Sequence, residues 1–148
     1  MAVPFSLLSY IVFPDGGNYE PLSLLGIIFL IWTNDSFAYF TGSLIGKTKL
    51  FERISPGKTW EGFFGGLFFC LGMGLLIGTY LENIPKWILF ALIMSVFGTV
   101  GDLVESHMKR LAGMKDSGKI LPGHGGVLDR FDALIFATPF IFVVDLFL

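Results

Sequence analysis

Gly62–Leu81 reads GFFGGLFFCLGMGLLIGTYL, an uncharged run bounded by Glu61 and Glu82. A helix of roughly 20 apolar residues crosses the hydrocarbon of a bilayer, so this stretch reads as a membrane span. Downstream, Trp87–Gly101 is a second candidate, closed by Lys86 and Asp102. Upstream, an apolar segment runs from Pro21 to Phe40 but carries Asn34 and Asp35. The last runs from Phe131 to Leu148, with Asp132 and Asp145 near its ends. Met1–Phe13 is apolar but short and contains Pro4. It has neither a basic start nor a small-residue cleavage site, so it is not read as a signal peptide. The expected fold is therefore all-α: a polytopic transmembrane helical bundle of about four spans plus a short N-terminal apolar segment, in one membrane domain over 1–148.

Composition agrees. Of 148 residues 53% are hydrophobic and only 15% charged, against about 25% charged in a typical soluble domain. That deficit excludes a disordered chain, a solvated repeat array and an ordinary soluble enzyme domain. The net charge of −2 gives no overall field for a nucleic-acid partner. The lone cysteine, Cys70, cannot form an intrachain disulfide.

Nine of the ten basic residues fall in two connections. Gly46–Glu61 holds Lys47, Lys49, Arg53 and Lys58; Asp102–Arg130 holds Lys109, Arg110, Lys115, Lys119 and Arg130. Two spans separate these connections, so they lie on one face, and the positive-inside rule makes that face cytoplasmic. The expected location is the inner, cytoplasmic membrane, with the chemistry facing the cytoplasm. Within the 62–81 run, Gly62, Gly65, Gly66, Gly72, Gly74 and Gly78 include small-xxx-small spacings that suit close helix packing. The other reading is that glycine is simply common in membrane helices.

The 102–132 stretch is dense in reactive groups. Asp102 is expected to end one span and Asp129 and Asp132 to begin the next. Asp102 and Glu105 are three apart, as are Asp129 and Asp132, so each pair shares a helix face. Carboxylates from two facing helices can hold a hard cation such as Mg²⁺ through oxygen; the alternative is helix-end charge without a ligand. Gly123-His124-Gly125-Gly126 precedes a helix start, where backbone N–H groups favour an anion. Lys109, Arg110, Lys115 and Arg130 add cationic donors. The combination suits a polyphosphate neutralised by bases and metal. Contact with anionic lipid heads explains Lys47 and Lys49 but not this mixture.

Gly-Lys-Thr occurs at 46–48 and 57–59, but neither is a Walker A loop, because Thr41 and Glu52 stand where that pattern needs a further glycine. Ser55 and Thr59 could donate to phosphate with Lys58 as a point charge; alternatively Ser55 caps the helix that starts near Gly62. Asp35 is costly inside an apolar span and is expected to face a polar cavity, the other option being an interfacial position. His107 and His124 have no cysteine partners nearby, so no zinc site is expected.

Ser106–Asp132 resembles the signature of phosphatidate cytidylyltransferases, also called CDP-diglyceride synthases. The matching residues are Ser106, Met108, Lys109, Arg110, Lys115, Asp116, Gly118, Leu121, Pro122, His124, Gly125, Gly126, Val127, Asp129, Arg130, Phe131 and Asp132. Upstream, Trp32 with Asp35, Ala38-Tyr39-Phe40 with Gly42, Gly46-Lys47, Ser55-Pro56, Lys58-Thr59 and Glu61-Gly62 are similar too. The likeness runs from about Pro21 onward. Phe37 departs from it, standing where the family usually has a small residue. Family members are also longer, with more N-terminal spans, so this chain resembles their C-terminal, catalytic half.

The resemblance implies transfer of the cytidylyl group from CTP to phosphatidate, giving CDP-diacylglycerol and pyrophosphate in phospholipid synthesis. Asp102, Asp129, Lys109 and Arg110 would be catalytic. Ser55, Lys58, Thr59, Lys115, His124, Gly125, Gly126 and Arg130 would bind substrate phosphates. Mg²⁺ would be held by Asp102 and Asp129, with Asp35, Glu105 and Asp132 as further candidates and a second cation left open. The lipid bilayer is the implied partner, and a homodimer stays open. The rival readings are a CTP-dependent lipid kinase of the dolichol kinase kind, a membrane transporter, and a non-catalytic fragment.

Overall fold

The computed structural model describes residues 2–13, 21–111 and 128–147, with the side chains of 2, 3, 5 and 128–132 outside the description. Five helices and one hairpin follow in chain order: α1 Ala2–Val12, α2 Pro21–Ile45, β1 Lys49–Phe51, β2 Ser55–Thr59, α3 Trp60–Tyr80, α4 Ile84–Leu111 and α5 Leu128–Phe147. The helical bundle is the expected one, with a two-stranded sheet added.

α2, α3 and α4 are each long and apolar enough to cross a membrane, and 133–147 of α5 forms a shorter apolar helix. Their outer faces carry Phe29, Trp32, Phe64, Phe68, Leu75 and Leu76, all exposed, as lipid-facing positions are. At 11 residues α1 is too short to cross; it buries Ile11 and Val12 and sets Tyr10 edge-on to Phe142 at 5.2 Å.

Small residues let the helices approach. Gly62, Gly66, Cys70, Gly74 and Gly78 line the buried face of α3 at four-residue spacing. A Cβ on Gly66 would lie 2.9 Å from Ala38 Cβ and from the Asn34 carbonyl oxygen; one on Gly74 would lie 2.7 Å from the Trp87 carbonyl oxygen. Packing therefore explains these positions. Gly72, exposed with nothing within 4 Å of such a Cβ, is only a common membrane-helix residue. Cys70 is buried between α2 and α4, its thiol near the carbonyls of Leu30 (3.6 Å) and Ala91 (3.5 Å). The core around it is formed by Ile27, Leu30, Trp87, Phe90, Ala91, Met94, Ala137 and Ile141.

α3 and α4 join through a tight turn in which Glu82 takes a left-handed conformation (φ 57°). Asn83 N donates to the Gly78 carbonyl at 2.9 Å, and Asn83 Oδ1 accepts from Lys86 N at 3.3 Å.

Asp102 closes the apolar run, but the helix does not stop there: α4 continues to Leu111. At 1.5 Å per residue its 28 residues reach about 42 Å, well beyond a hydrocarbon core of about 30 Å. Pairs four residues apart, Asp102 with Ser106 and Glu105 with Lys109, hold the polar extension in helical form. Ser55 does not cap α3. Thr59 does, its Oγ1 accepting from Gly62 N at 3.1 Å.

Two contacts fix how α4 and α5 lie together. Lys86 pairs with Asp145 at 2.5 Å, and a Cβ on Gly98 would meet Ala133 Cβ at 3.4 Å. The helices are antiparallel and both contacts obey one register. One turn past Gly98 on α4 is Asp102; one turn before Ala133 on α5 is Asp129. The two positions are level on neighbouring helices.

Candidate functional site

A cavity of about 540 Å³ opens where α2 ends, α3 begins, the polar part of α4 emerges and α5 starts. α2 contributes Asn34, Asp35, Ala38, Tyr39, Gly42 and Ser43; the hairpin Leu50, Ser55, Gly57, Lys58 and Thr59; α3 Gly62 and Phe63. α4 adds Gly98, Thr99, Asp102, Glu105 and Lys109, and α5 adds Ala133. Three carboxylates and two ammonium groups thus face one space walled by apolar helices.

The hairpin brings the first cation in. β1 and β2 pair antiparallel, with Lys49 opposite Thr59 and Phe51 opposite Ser55. Its base is clamped to α3. Thr48 N and Oγ1 donate to the Glu61 carboxylate at 3.1 and 2.9 Å, and Trp60 N donates to the Thr48 carbonyl at 3.0 Å. Gly46 leaves room for Thr59, since a Cβ there would lie 2.6 Å from Thr59 Oγ1. Held in this way, Lys58 forms an ion pair with Asp102 on α4. The two Gly-Lys-Thr stretches accordingly differ in role: Gly46 is a close-packing position, whereas Gly57 has open space beside it on the cavity wall.

α4 supplies the rest. Asp102, Glu105 and Lys109 follow at three- and four-residue spacing and share a face. Ser106 Oγ donates to Asp102 Oδ1 at 3.3 Å, and Lys109 Nζ donates to Glu105 Oε2 at 3.0 Å, with the Glu105 residue buried. Arg110 is turned about 100° from Lys109; it is exposed and does not line the cavity, and His107 is exposed as well. The structure therefore brings together Asp35, Ser55, Lys58, Thr59, Asp102, Glu105 and Lys109 and leaves Arg110 aside. Lys115, His124, Gly125 and Gly126 lie outside the described residues. So do the side chains of Asp129, Arg130 and Asp132, whose backbone belongs to the first turns of α5.

Asn34, Ser43 and Thr99 are cavity residues that the sequence reading did not single out. Asn34 is buried, its Nδ2 3.5 Å from Asp35 Oδ1. Its place immediately before an intramembrane aspartate was the only signal. Among the described residues no three His, Cys, Asp or Glu side chains stand close enough together to hold a metal ion. The carboxylates present are hard oxygen donors, the kind Mg²⁺ takes, and the register of α4 and α5 sets Asp129 level with Asp102.

Comparison with known proteins is decisive about kinship. The model of the cytidylyltransferase family matches residues 1–147. The chain belongs to the cytidylyltransferase family. It is 44% identical over 142 residues to a phosphatidate cytidylyltransferase of Staphylococcus aureus, covering 94% of this chain and 55% of that protein. The corresponding protein of Staphylococcus saprophyticus is 50% identical over 119 residues, covering 78% of this chain and 46% of the relative. That of Staphylococcus epidermidis is 42% identical over 142 residues, covering 94% and 55%. The chain thus spans about half the length of the curated relatives it matches.

Proposed function

We propose that this chain carries the transfer centre of a phosphatidate cytidylyltransferase, making CDP-diacylglycerol and pyrophosphate from CTP and phosphatidate. The observation that carries this reading is the cavity at one end of an apolar bundle into which Lys58, Asp102, Glu105 and Lys109 converge from a hairpin and a helix. Its position suits a reaction whose nucleotide comes from water while the other substrate keeps its acyl chains in lipid.

The reaction forms a bond between a phosphatidate oxygen and the α-phosphorus of CTP and breaks the bond from that phosphorus to the oxygen bridging it to the β-phosphorus, which leaves on pyrophosphate. The nucleophile is already anionic, so no strong general base is required. What the protein must supply is position and neutralisation of charge. Lys58 and Lys109 are the cavity's described cations, and each would exchange a carboxylate partner for a phosphate oxygen. Ser55 would add a neutral donor. Asp102 and Asp129, level on α4 and α5, would hold Mg²⁺, with Asp35, Glu105 and Asp132 in reserve. When bound, such a cation neutralises phosphate charge and polarises the phosphoryl group under attack. The hairpin and the polar end of α4 share one end of the bundle, and their basic residues support a cytoplasmic position for that end under the positive-inside rule.

The test uses the protein in phosphatidate-containing bilayers, supplied with CTP labelled at the α- or the γ-phosphorus. Label from the α-position alone should enter lipid. Lipid labelled from the γ-position would instead make it a lipid kinase, and no labelled lipid from either would remove the catalytic reading.

A further inference from the structure

The cavity uses only part of the hairpin. Leu50, Ser55, Gly57, Lys58 and Thr59 line it. Lys49 and Phe51, on either side of Leu50, do not line it and are exposed, Phe51 to 51%. Arg53 in the turn and Lys47 before the strand are exposed as well. None of Lys47, Lys49 and Arg53 forms an ion pair among the described residues, in contrast to Lys58, Lys86 and Lys109. Just beside these residues in the chain stand exposed apolar side chains at the end of α2, Leu44 and Ile45, and at the start of α3, Trp60 and Phe64.

We propose that the exposed hairpin residues outside the cavity lining, Lys47, Lys49, Phe51 and Arg53, form a docking surface for the anionic phospholipid headgroups of the adjoining leaflet. An exposed aromatic between cations that form no ion pair among the described residues suits a boundary where one side is apolar and the other anionic. Trp60, at the junction of hairpin and span, is the type of residue that sits at headgroup depth. Each base near an anionic leaflet adds attraction that is screened within a Debye length. A soluble polyphosphate would match the cations but leave Phe51 and the apolar belt in water. This surface needs no nucleotide, so it stands or falls separately from the cytidylyl-transfer reading.

The experiment uses Trp60 as reporter in the Trp32→Phe protein, where the remaining tryptophan, Trp87, is buried. The protein is placed in phosphatidylcholine vesicles in which either brominated phosphatidylglycerol or brominated phosphatidylcholine is the quencher, at equal mole fraction. Phosphatidylglycerol should be enriched at Trp60 by about twofold or more at low salt, and high salt should erode the preference. The enrichment should vanish in the Lys47→Gln, Lys49→Gln, Arg53→Gln variant and persist when inorganic phosphate is added at constant ionic strength. Equal quenching by both lipids, or a preference that survives the triple substitution, would overturn the proposal. Loss of the preference on adding phosphate would assign the surface to a soluble anion and overturn it as well.

Discussion

Lys58 on the hairpin and Asp102 on α4 form an ion pair across the cavity, joining two elements 44 positions apart in sequence. Their side chains are 26% and 39% exposed, so solvent screens the pair and its contribution to stability is small. Its interest lies in what it presets: a cation and a carboxylate poised at one spot, each able to change partner when a charged ligand enters.

Lys58→Met should therefore impair use of CTP more than folding. A charge-assisted contact contributes roughly 1.5–3 kcal/mol, so kcat/KM for CTP should fall about tenfold or more, with thermal stability in detergent nearly unchanged. Steady-state kinetics beside a melting curve separates the two. An unaltered kcat/KM would mean that Lys58 only tethers the hairpin.

Glu61 acts one step further back. Its carboxylate receives both donors of Thr48, pinning the start of the hairpin to the first turn of α3. Glu61→Ala should speed hydrogen exchange at the Thr48 amide and through β1 and β2 while leaving α4 and α5 protected. Glu61→Gln, which keeps one acceptor oxygen, should fall between. Unchanged exchange in the alanine variant would show that the strand pairing alone holds the hairpin.

The glycines of α3 divide cleanly. Ala at Gly74 would press on the Trp87 carbonyl, which is backbone and cannot swing aside; a loss of about 1–3 kcal/mol is expected. Ala at Gly72 meets nothing and should stabilise the helix by about 0.5–1 kcal/mol. Unfolding of both variants in one detergent system checks the contrast, and equal effects would contradict the packing assigned to this face.

Sidedness can be measured directly. Cysteines replacing Lys47 and Asn83 in a Cys70→Ala background should be labelled from opposite faces of oriented vesicles, with position 47 on the cytoplasmic side. Position 47 reacting only from outside would reverse the orientation drawn from the positive-inside rule.

Much of this architecture can be read from hydropathy, because an uncharged run such as Gly62–Leu81 has few stable places other than lipid. The same measure does not locate the end of α4. A charge at Asp102 ends the apolar run but not the helix, whose backbone bonds continue into the interface with support from side-chain pairs four residues apart. The hairpin left no periodic trace: β1 has three residues and β2 contains Pro56, too little for an alternation to be recognised. Its clamp depends on Glu61 meeting Thr48 across 13 positions, a pairing local sequence does not announce. Residue chemistry still pointed to Asp102, Glu105 and Lys109 together, and separately to Lys58. Helical geometry then separated Lys109 from Arg110, which adjacency in sequence had joined.

The proposed metal pair rests on helix register. The Lys86–Asp145 and Gly98–Ala133 contacts align α4 with α5, so Asp102 and Asp129 stand level at the end where the cavity opens. Asp102→Asn and Asp129→Asn keep side-chain size and remove the charge a divalent cation needs. Each should abolish most Mg²⁺-dependent formation of CDP-diacylglycerol while the protein still inserts and melts normally. Asp145→Asn, at the opposite end of the same helix pair, serves as the control: it breaks the ion pair with Lys86 and should lower stability without altering the Mg²⁺ dependence. Carboxylates acting only as helix-end charges would change stability by about 1 kcal/mol or less and leave the metal requirement intact. The deciding measurement is the Mg²⁺ titration of activity for each variant, normalised to folded protein. A wild-type curve for either Asn variant at position 102 or 129 would remove that residue from the metal site.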